Sequence, residues 1–404
     1  MRSMQAPVGK RVLMLLENNP YPQDGRVRRE ANVLVGAGYR VTVIAPAGPK
    51  QPWRDIINGV RVYRYPRPPE GEGLIGYLWE YGYSLVAACL LSLFLFFYDD
   101  FDIIHAHNPP DTFVLLAAGY KPLGKRFVFD HHDLSPEMYY ARFRGEGNKM
   151  VYQALLLLEQ LTFRLSDHVI ATNQSYKAIA TQRGGVPESR VTIVRNGPDL
   201  NRVRTADPDP ALRQKAPIII GYVGEMGYHD GVDYLLRAIK HLIDDVGRTD
   251  FYCVLVGQGD AWPELQELKT ELGLDDYVWF PGFVSDAELM SYLSTADICV
   301  DPDPSNPFTD RSTMIKMAEF MALGKPIVAF DLTEHRFTAQ DAAIYARAND
   351  ELDFARNIAL LMDDPERRAQ MARIGKERIQ TQLAWQHQEH CLIEAYDKIT
   401  GHTT

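Results

Sequence analysis

The residues best suited to binding or catalysis lie in the last third of this 404-residue chain. A short apolar run, 298–300, is followed by a loop rich in Pro, Asn and Asp, and then by a helical pattern over 312–323. Asp310 or Ser312 is predicted to cap that helix, because either side chain can accept a hydrogen bond from a first-turn amide. A loop that leads into a helix N-terminus at the carboxyl edge of a parallel sheet is suited to binding an anion.

Two charged residues of this helix, Lys316 and Glu319, lie about one turn apart and therefore share a face. A cation at this place can meet a phosphate, and a carboxylate can accept hydrogen bonds from the hydroxyls of a ribose. The alternative is a simple ion pair on a helix surface. The anion-binding loop before the helix and the apolar strand pattern after it, 327–330, favour the binding interpretation.

The segment 310–326, Asp-Arg-Ser-Thr-Met-Ile-Lys-Met-Ala-Glu-Phe-Met-Ala-Leu-Gly-Lys-Pro, resembles the donor site of family-4 glycosyltransferases. The resemblance runs from about residue 10 to about residue 400. It implies an α/β protein of GT-B fold, with two Rossmann-like, doubly wound parallel-sheet domains facing across a cleft. It also implies that Glu319 binds the donor ribose and that the helix N-terminus holds the donor diphosphate. The residues predicted for the diphosphate are Arg311, Ser312, Thr313, Met314 and Lys316.

Short apolar runs alternate with helical patterns along both halves of the chain, which predicts two parallel sheets. The predicted strands are 12–16, 39–45, 60–65, 103–106, 127–130, 168–171, 218–223, 252–256, 278–280, 298–300, 327–330 and 344–345. We place an acceptor-binding domain at 1–199 and a donor-binding domain at 217–383. The last helix, 384–400, is expected to pack back on the first domain, as the resemblance implies.

The composition, with 46% hydrophobic and 24% charged residues, is typical of a soluble globular protein. Its four cysteines are widely scattered, which predicts neither a disulfide framework nor a zinc site and favours a reducing cytosol. The apolar run 11–16 is too short for a signal peptide and is interpreted as the first strand. The expected location is therefore cytoplasmic.

The charge is unevenly distributed. Residues 1–200 hold 23 Lys and Arg against 19 Asp and Glu, whereas the whole chain has a net charge of −10. This pattern argues against nucleic acid as a partner and is compatible with a first domain that faces an anionic membrane. Segment 81–98 carries no charge, so it is predicted to be a crossover helix whose outer edge touches lipid, with a membrane span as the alternative. The expected location therefore includes peripheral attachment to the inner face of the plasma membrane.

The loop after the first strand, residues 17–30, lacks the Gly-x-Gly-x-x-Gly pattern of a dinucleotide site. This counts against a nicotinamide or flavin enzyme. By resemblance, Gly25 corresponds to a glycine loop that approaches the donor diphosphate. The arginines that follow, Arg26, Arg28 and Arg29, are interpreted as phosphate contacts, membrane contacts or a solvated helix face.

Two histidines and an acid, at positions 131–133, follow another predicted strand of the first domain. Adjacent strand residues point to opposite faces, so a metal site is not expected here. By resemblance, His132 lies close to the reacting sugar and is assigned a catalytic role, with Asp133 expected to orient its ring. The acceptor side of the cleft is assigned to His105, His107 and Asn108.

The loop after the first strand of the second domain departs from the family pattern. Gly224 matches a family glycine, but Glu225 and Asp230 stand where many members have an Arg and a Lys that touch the diphosphate. Arg311 stands where the family usually has a Glu. Phe283 and Val284 resemble the stretch that contacts the nucleotide base. The pair Asp301 and Asp303 is interpreted as turn chemistry.

The resemblance implies a retaining, metal-independent hexosyltransferase without a cofactor. The expected donor is a UDP- or GDP-sugar. The expected acceptor is a hydroxyl, on a polyprenyl-diphosphate-linked glycan in polysaccharide assembly. Two alternatives stay open: a nucleotide-sugar epimerase or hydrolase of the same fold, and a non-catalytic sugar-nucleotide-binding partner of a membrane complex.

Overall fold

The computed structural model describes residues 10–68 and 73–401. The chain divides into two compact units. The N-terminal unit contains the residues up to Met138, then Asn148–Arg195, and those from Gln388 onward. The C-terminal unit contains Asn196–His387 together with the short segment Tyr139–Gly147.

The N-terminal unit is built on an eight-stranded sheet in the order β3-β4-β2-β1-β5-β6-β7-β8. All neighbouring strands are parallel except β3, which pairs antiparallel with β4 at one edge. The strands are β1 (Arg11–Leu15), β2 (Arg40–Pro46), β3 (Arg54–Ile57), β4 (Val60–Tyr65), β5 (Ile103–His107), β6 (Arg126–His131), β7 (His168–Ala171) and β8 (Val191–Ile193).

Six α-helices lie between these strands in the described chain: α1 (Gly25–Gly36), α2 (Gly73–Tyr98), α3 (Phe113–Tyr120), α4 (Ser135–Arg142), α5 (Lys149–Leu165) and α6 (Gln174–Ala178). The second half of α4, from residue 139, belongs to the C-terminal unit. Three of the six helices begin with a polar cap that satisfies a first-turn amide. Asp24 accepts from the Val27 amide at the start of α1, and Asn148 and Asn173 cap α5 and α6 in the same way.

The C-terminal unit is built on a six-stranded parallel sheet in the order β11-β10-β9-β12-β13-β14. Its strands are β9 (Ile218–Val223), β10 (Phe251–Val256), β11 (Val278–Gly282), β12 (Ile298–Asp301), β13 (Ile327–Phe330) and β14 (Ala343–Ala346). Its helices are α7 (Pro210–Arg213), α8 (Val232–Asp244), α9 (Trp262–Glu271), α10 (Asp286–Thr295), α11 (Ile315–Leu323), α12 (Thr333–Ala339), α13 (Glu351–Asp363) and α14 (Pro365–Arg378). Buried aliphatic side chains on both faces of the sheet form its core.

The last helix, α15 (Glu389–Thr400), packs in the N-terminal unit against α1, β7 and β8. Its Tyr396 is fully buried, forms an edge contact with Tyr39 at 5.2 Å between ring centroids, and pairs through its hydroxyl with His105 Nδ1 at 2.9 Å. The end of the chain therefore completes the core of the unit in which the chain begins.

The doubly wound α/β class predicted from the sequence is confirmed, and all twelve predicted strands are present within two residues at either end. Two strands escaped prediction. β3 begins with the charged pair Arg54 and Asp55 and lies at an exposed sheet edge, and β8 has only three residues.

The predicted start of the helix over 312–323 is wrong. The chain first forms a 3₁₀ turn, Thr309–Arg311, and α11 begins only at Ile315. The Ser312 hydroxyl donates to the Phe308 carbonyl at 2.9 Å and does not cap α11. Asp310 lies within the 3₁₀ turn, so neither predicted cap is used.

Segment 81–98 forms most of α2, which packs on β2, β4 and α3. Among the described residues, α2 is the one helix long and apolar enough to cross a membrane by length and composition, with a mean hydropathy of 1.8 over Trp79–Tyr98. Its flanking strands, β4 and β5, belong to the same sheet, so here it is a crossover helix.

Candidate functional site

In the N-terminal unit, a polar cluster lies where β5 and β6 end and α1 begins. Asp130, near the end of β6, is fully buried and accepts hydrogen bonds from three side chains. Nε and Nη2 of Arg26 donate to its two oxygens at 2.7 and 2.6 Å. Nδ1 of His107 and Nδ1 of His132 donate to Oδ2 at 2.8 and 3.1 Å. One carboxylate thus orients two imidazole rings and one guanidinium group.

The electrostatics of this cluster favour a charged His132. Burial alone raises the pKa of Asp130, but Arg26 and His132 outweigh it and hold that pKa well below its usual value. Burial also lowers the pKa of His132, but the charge and hydrogen bond of Asp130 overcome this and leave the pKa raised. The His132 side chain is 16% exposed whereas Asp130 is inaccessible, so His132 is the member of the pair that a ligand can reach.

Asp130 is a hydrogen-bond partner of the His132 ring, and the charge of Asp133 also raises the pKa of that ring, so the expectation that Asp133 orients His132 stays a prediction. The backbone at this strand end is fixed by Asn108. Its side-chain oxygen accepts from the amides of His132 and Asp133 at 2.9 and 3.1 Å, and its Nδ2 donates to the Asp133 carbonyl at 2.6 Å. Asn108 therefore acts on the loop that carries His132.

The prediction that His105 and His107 line an acceptor surface is wrong in this structure, because both rings are buried. His107 serves Asp130, and His105 pairs with Tyr396. Burial and the neighbouring His107 lower the pKa of His105 well below its usual value, which keeps that ring neutral. Alternation along β5 places both rings on the same face of the sheet, stacked at 4.3 Å.

The residues that sequence reasoning missed in this unit are Asp130 and Glu30. Arg26, predicted to meet phosphate or membrane, is instead buried between these two carboxylates, with its Nη2 3.1 Å from Glu30 Oε1. Its Nη1 also donates to the Val194 carbonyl at 3.1 Å. The available signal was the i,i+4 spacing of Arg26 and Glu30 on one helix face.

Gly25 is the first residue of α1, directly after its cap. A Cβ atom built there would have no described neighbour within 4 Å, so packing within the protein does not require glycine at this position. Its predicted approach to a diphosphate stays a prediction.

In the C-terminal unit, Lys316 occupies a buried acidic site beneath the start of α11. Its Nζ lies 2.6 Å from Asp303 Oδ1 and 3.1 Å from Asp301 Oδ1, above the Tyr222 ring. Both aspartates are inaccessible to solvent, so the interpretation of this pair as turn chemistry alone is wrong. Burial lowers the pKa of Lys316, but the two aspartates overcome this and raise it well above its usual value.

The position of Lys316 changes what it contributes to anion binding. It is the second residue of α11, close to the amides that have no partner within the helix. Its charge is opposed by Asp301 and Asp303, so the site has no surplus of positive charge from this residue. The first-turn amides and the helix dipole are therefore the main attraction for an anion.

Glu319 lies one turn further along α11, and its side chain is 11% exposed. Its Oε1 accepts from Nη2 of Arg202 at 3.2 Å. Arg202 therefore orients Glu319. Its predicted ribose contact stays a prediction.

The remaining residues predicted for the diphosphate surround the N-terminus of α11. Arg311 donates through Nη1 to the Pro307 carbonyl at 2.5 Å, and the Thr313 hydroxyl donates to Glu334 at 3.4 Å. Met314 is the residue before the first turn. The structure brings Arg311, Ser312, Thr313 and Met314 together in one loop, while their roles toward a ligand stay predictions.

Asp230 has a structural task in the loop that follows β9. Its Oδ2 accepts from the Gly227 amide at 2.8 Å, so the acid at this position stabilises the loop. The loop also packs closely: a Cβ at Gly224 would lie 2.5 Å from the Tyr222 hydroxyl, and one at Gly231, with φ of 68°, would lie 2.0 Å from the Pro302 carbonyl. Glycine is required at both positions.

Phe283 is the most exposed large apolar side chain of this unit, at 87%. It follows Gly282, which ends β11 with φ of 79°. Val284 is partly buried, and Ser285 then caps α10 through a capping box with Glu288. An aromatic ring is thus presented at the carboxyl edge of the sheet.

Residues 26–202 match the family described as Glycosyltransferase Family 4, and residues 217–364 match the one described as Glycosyl transferases group 1. Together these matches cover most of both units. The chain belongs to the family-4 glycosyltransferases. It is 21% identical to the 2-deoxystreptamine glucosyltransferase of Streptomyces kanamyceticus over 93% of this chain and 98% of that protein.

Solved structures confirm that this family-4 glycosyltransferase has the GT-B fold. The chain resembles sucrose-phosphate synthase from Thermosynechococcus elongatus with a TM-score of 0.78 and 18% identity, over 98% of this chain and 100% of that one. It also resembles the Anabaena protein HepE in complex with UDP, with a TM-score of 0.71 and 17% identity, over 96% and 99% of the two chains. At such low sequence identities, these similarities show the fold of this chain but do not identify its substrate.

Proposed function

We propose that this glycosyltransferase transfers a hexosyl group, with retention of configuration, from a nucleotide-diphosphate sugar to a hydroxyl acceptor. The observation that carries the proposal is the arrangement at the carboxyl edge of the second sheet. There the amino end of α11, with Glu319 one turn later, follows β12, and the exposed Phe283 follows β11, which β9 and β10 separate from β12 in the same sheet. Amides, a carboxylate and an aromatic ring suit a diphosphate, a ribose and a base respectively.

The donor proposal also draws on a protein of the same fold, since HepE was solved with UDP. We extend it to UDP- or GDP-sugars as donors. The helix dipole at α11 stabilises negative charge that grows on the leaving diphosphate as the glycosidic bond breaks. Glu225, which is exposed, adds negative charge to the loop after β9, so the amides have to supply most of the attraction.

In the proposed mechanism, the bond between the anomeric carbon and the diphosphate oxygen breaks, and the acceptor oxygen bonds to the same face of that carbon. The acceptor proton passes to an oxygen of the leaving diphosphate. His132, charged because Asp130 raises its pKa, donates a hydrogen bond to the reacting sugar. The protein thus positions the reactants and stabilises charge.

We further propose that the reaction needs no metal ion. Two buried groups of acids and histidines in the described residues have ligand atoms close enough to share an ion: Glu30, His105, His107 and Asp130, and Asp301, Asp303 and His335. Each already contains a side-chain cation, Arg26 in the first and Lys316 in the second. A divalent ion would compete with a tethered positive charge in both places.

Activity is therefore expected to survive treatment with excess EDTA. The measurement is the initial rate of sugar transfer before and after chelation, with a metal-dependent glycosyltransferase assayed in parallel as the control. Loss of transfer that manganese or magnesium restores would contradict metal independence.

The deciding experiment incubates the purified full chain with UDP-, GDP- and ADP-sugars, with and without a polyprenyl-diphosphate-linked acceptor. Transfer to the acceptor supports the proposed function. Turnover without an acceptor would indicate an epimerase or hydrolase of the same fold. Binding without turnover would indicate a non-catalytic partner. Two features of this chain motivate that test: Lys316 is paired with Asp301 and Asp303, and acids stand at 225 and 230 where many family members have basic residues.

Glu319→Ala is expected to weaken donor binding by about 1–3 kcal/mol, roughly a 5- to 150-fold rise in Kd. The physical reason is that the ribose hydroxyls lose their acceptor and Arg202 loses its partner. Calorimetry with the best donor measures the change. Arg202→Gln is the control, because it removes the ion pair and leaves the carboxylate. Unchanged donor affinity in folded Glu319→Ala would contradict the assignment.

A further inference from the structure

Helix α2 has its large apolar side chains on the outside. Ser84, Ala88 and Ser92, spaced four residues apart, face the interior and are inaccessible to solvent. From residue 79 onward, Leu95 is the one large apolar side chain of the helix that is buried. The exposed positions are Trp79, Val86, Leu90, Leu93, Phe94, Phe97 and Tyr98, with Leu90 at 65% and Phe97 at 81%.

This polarity is the reverse of the one expected for a helix of a soluble protein, whose apolar stripe faces the core. The buried polar groups are satisfied inside the unit: Ser84 Oγ donates to Glu17 Oε1 at 3.1 Å, and Ser92 Oγ donates to the Cys89 carbonyl at 2.9 Å. Small residues at every fourth position let a helix approach its neighbours closely, as they do between helices in membranes.

The neighbouring helices continue the same surface. α2 packs against α3, and α3 packs against α5. α3 has no charged residue, and Leu115 on it is exposed. On α5, Met150 and Leu157 are exposed, and the residues between them are uncharged. We call the outward side of α2, α3 and α5 the apolar face.

Aromatic and basic residues border the apolar face. Trp53, exposed on the edge of the sheet, contacts Tyr63, which in turn contacts Phe94 of α2. Arg54 lies over the rings of Tyr63 and Tyr98. Lys149 and Arg164, at the two ends of α5, are also exposed.

The acids at the end of α2 do not oppose these cations. Asp99 pairs with Arg61, and Asp100 pairs with Arg11 and Lys125. With these two acids paired, the exposed Arg54, Lys149 and Arg164 add positive charge at the border of the apolar face, against one partly exposed acid of α2, Glu80, and this complements an anionic surface.

We propose that the apolar face binds a lipid bilayer, with α2 lying along the boundary between headgroups and acyl chains. The exposed side chains of α2 from Val86 to Phe97 offer no hydrogen-bonding group, whereas a protein partner usually forms about one hydrogen bond per 100–200 Å² of interface. Hydrocarbon requires none, and Trp and Tyr side chains favour the headgroup region. The idea that the bilayer supplies the acceptor rests on the proposed function. The proposal that the apolar face binds a bilayer does not depend on it.

Of the three arginines at 26, 28 and 29 that are interpreted from the sequence as phosphate or membrane contacts, Arg26 is excluded from lipid binding. Arg26 is buried against Asp130 and Glu30 and is not available to lipid. In the C-terminal unit, Arg142 pairs with Asp260 and Arg144 with Glu264. Lipid binding should therefore depend mainly on the apolar face and survive high salt better than binding through basic residues alone.

The experiment measures co-sedimentation of the full chain with phosphatidylcholine vesicles and with phosphatidylcholine–phosphatidylglycerol vesicles, at low and at high salt. We expect binding to both, tighter to the anionic vesicles. Leu90→Gln and Phe97→Gln together should lower the affinity at least about tenfold, since they remove two large apolar groups from the contact. Leu360→Gln, which changes a leucine that is 45% exposed on α13, a helix outside the apolar face, should leave the affinity unchanged.

Circular dichroism and donor binding of each variant show that it is folded. The proposal is overturned if the wild type ignores both vesicles, or if the double variant binds them as well as the wild type does. It is also overturned if sedimentation without lipid shows a dimer that the double variant dissociates, because a second copy of the chain would then cover the apolar face. Loss of transfer activity with intact vesicle binding would refute the proposed function and leave the lipid proposal standing.

Discussion

Lys316→Met is expected to lower the free energy of unfolding of the C-terminal unit by about 3–5 kcal/mol, the usual cost of removing one partner from a buried ion pair. Asp301 and Asp303 would be left buried without the cation that lies 3.1 and 2.6 Å from them. The methionine side chain keeps most of the volume of the lysine, so the lost charge dominates the effect. Urea unfolding, followed through probes in this unit, measures the change.

A double variant separates stability from catalysis. Burial and Asp301 raise the pKa of Asp303 well above its usual value, so Asp303 is the carboxyl group that is hardest to keep charged without the lysine. Lys316→Met with Asp303→Asn removes this group together with its cation, so part of the lost stability should return. If the double variant is stable but has no transfer activity, Lys316 also acts on the donor diphosphate. If activity returns, the lysine serves only to neutralise the aspartates. A single variant as stable as the wild type would refute the buried ion pair.

The sequence predicted the strands well because their cores are short apolar runs bounded by turn residues. It failed where local patterns conflict with tertiary contacts. The Ser312 side chain is a good helix cap, yet in the structure it bonds back to Phe308 within a 3₁₀ turn, and the helix starts three residues later than predicted. β3 begins with charged residues and exists because it pairs with β4 at the sheet edge.

The sequence predicted where the site residues lie more reliably than it predicted which side chains they contact. Lys316 and Glu319 were assigned to a ligand, and the structure shows the protein residues that each one also contacts, Asp301, Asp303 and Arg202. These contacts join residues from separate strands and loops, so no spacing in the sequence reveals them. The same holds for Arg26, whose main partner Asp130 lies 104 residues away.

Asp130→Asn is expected to lower kcat/KM at neutral pH by about 100-fold, the lower range for the loss of one hydrogen-bond donor that stabilises charge in the transition state. In the wild type, Asp130 raises the pKa of His132, so the charged ring persists to higher pH than in a free histidine. The asparagine removes that charge, while burial and Arg26 still lower the pKa. The alkaline limb of the pH–rate profile should therefore move to lower pH.

Asp133→Asn is the matched control, because Asp133 is the adjacent acid and it is Asp130 Oδ2 that accepts from His132 Nδ1. We expect the profile of this variant to shift less than that of Asp130→Asn. A purely structural role for Asp130 would lower the amount of active enzyme without moving the alkaline limb, since the ionisation of His132 would not limit the rate. An equal or larger shift in Asp133→Asn would show that Asp133 governs the ring after all, as the sequence alone suggested.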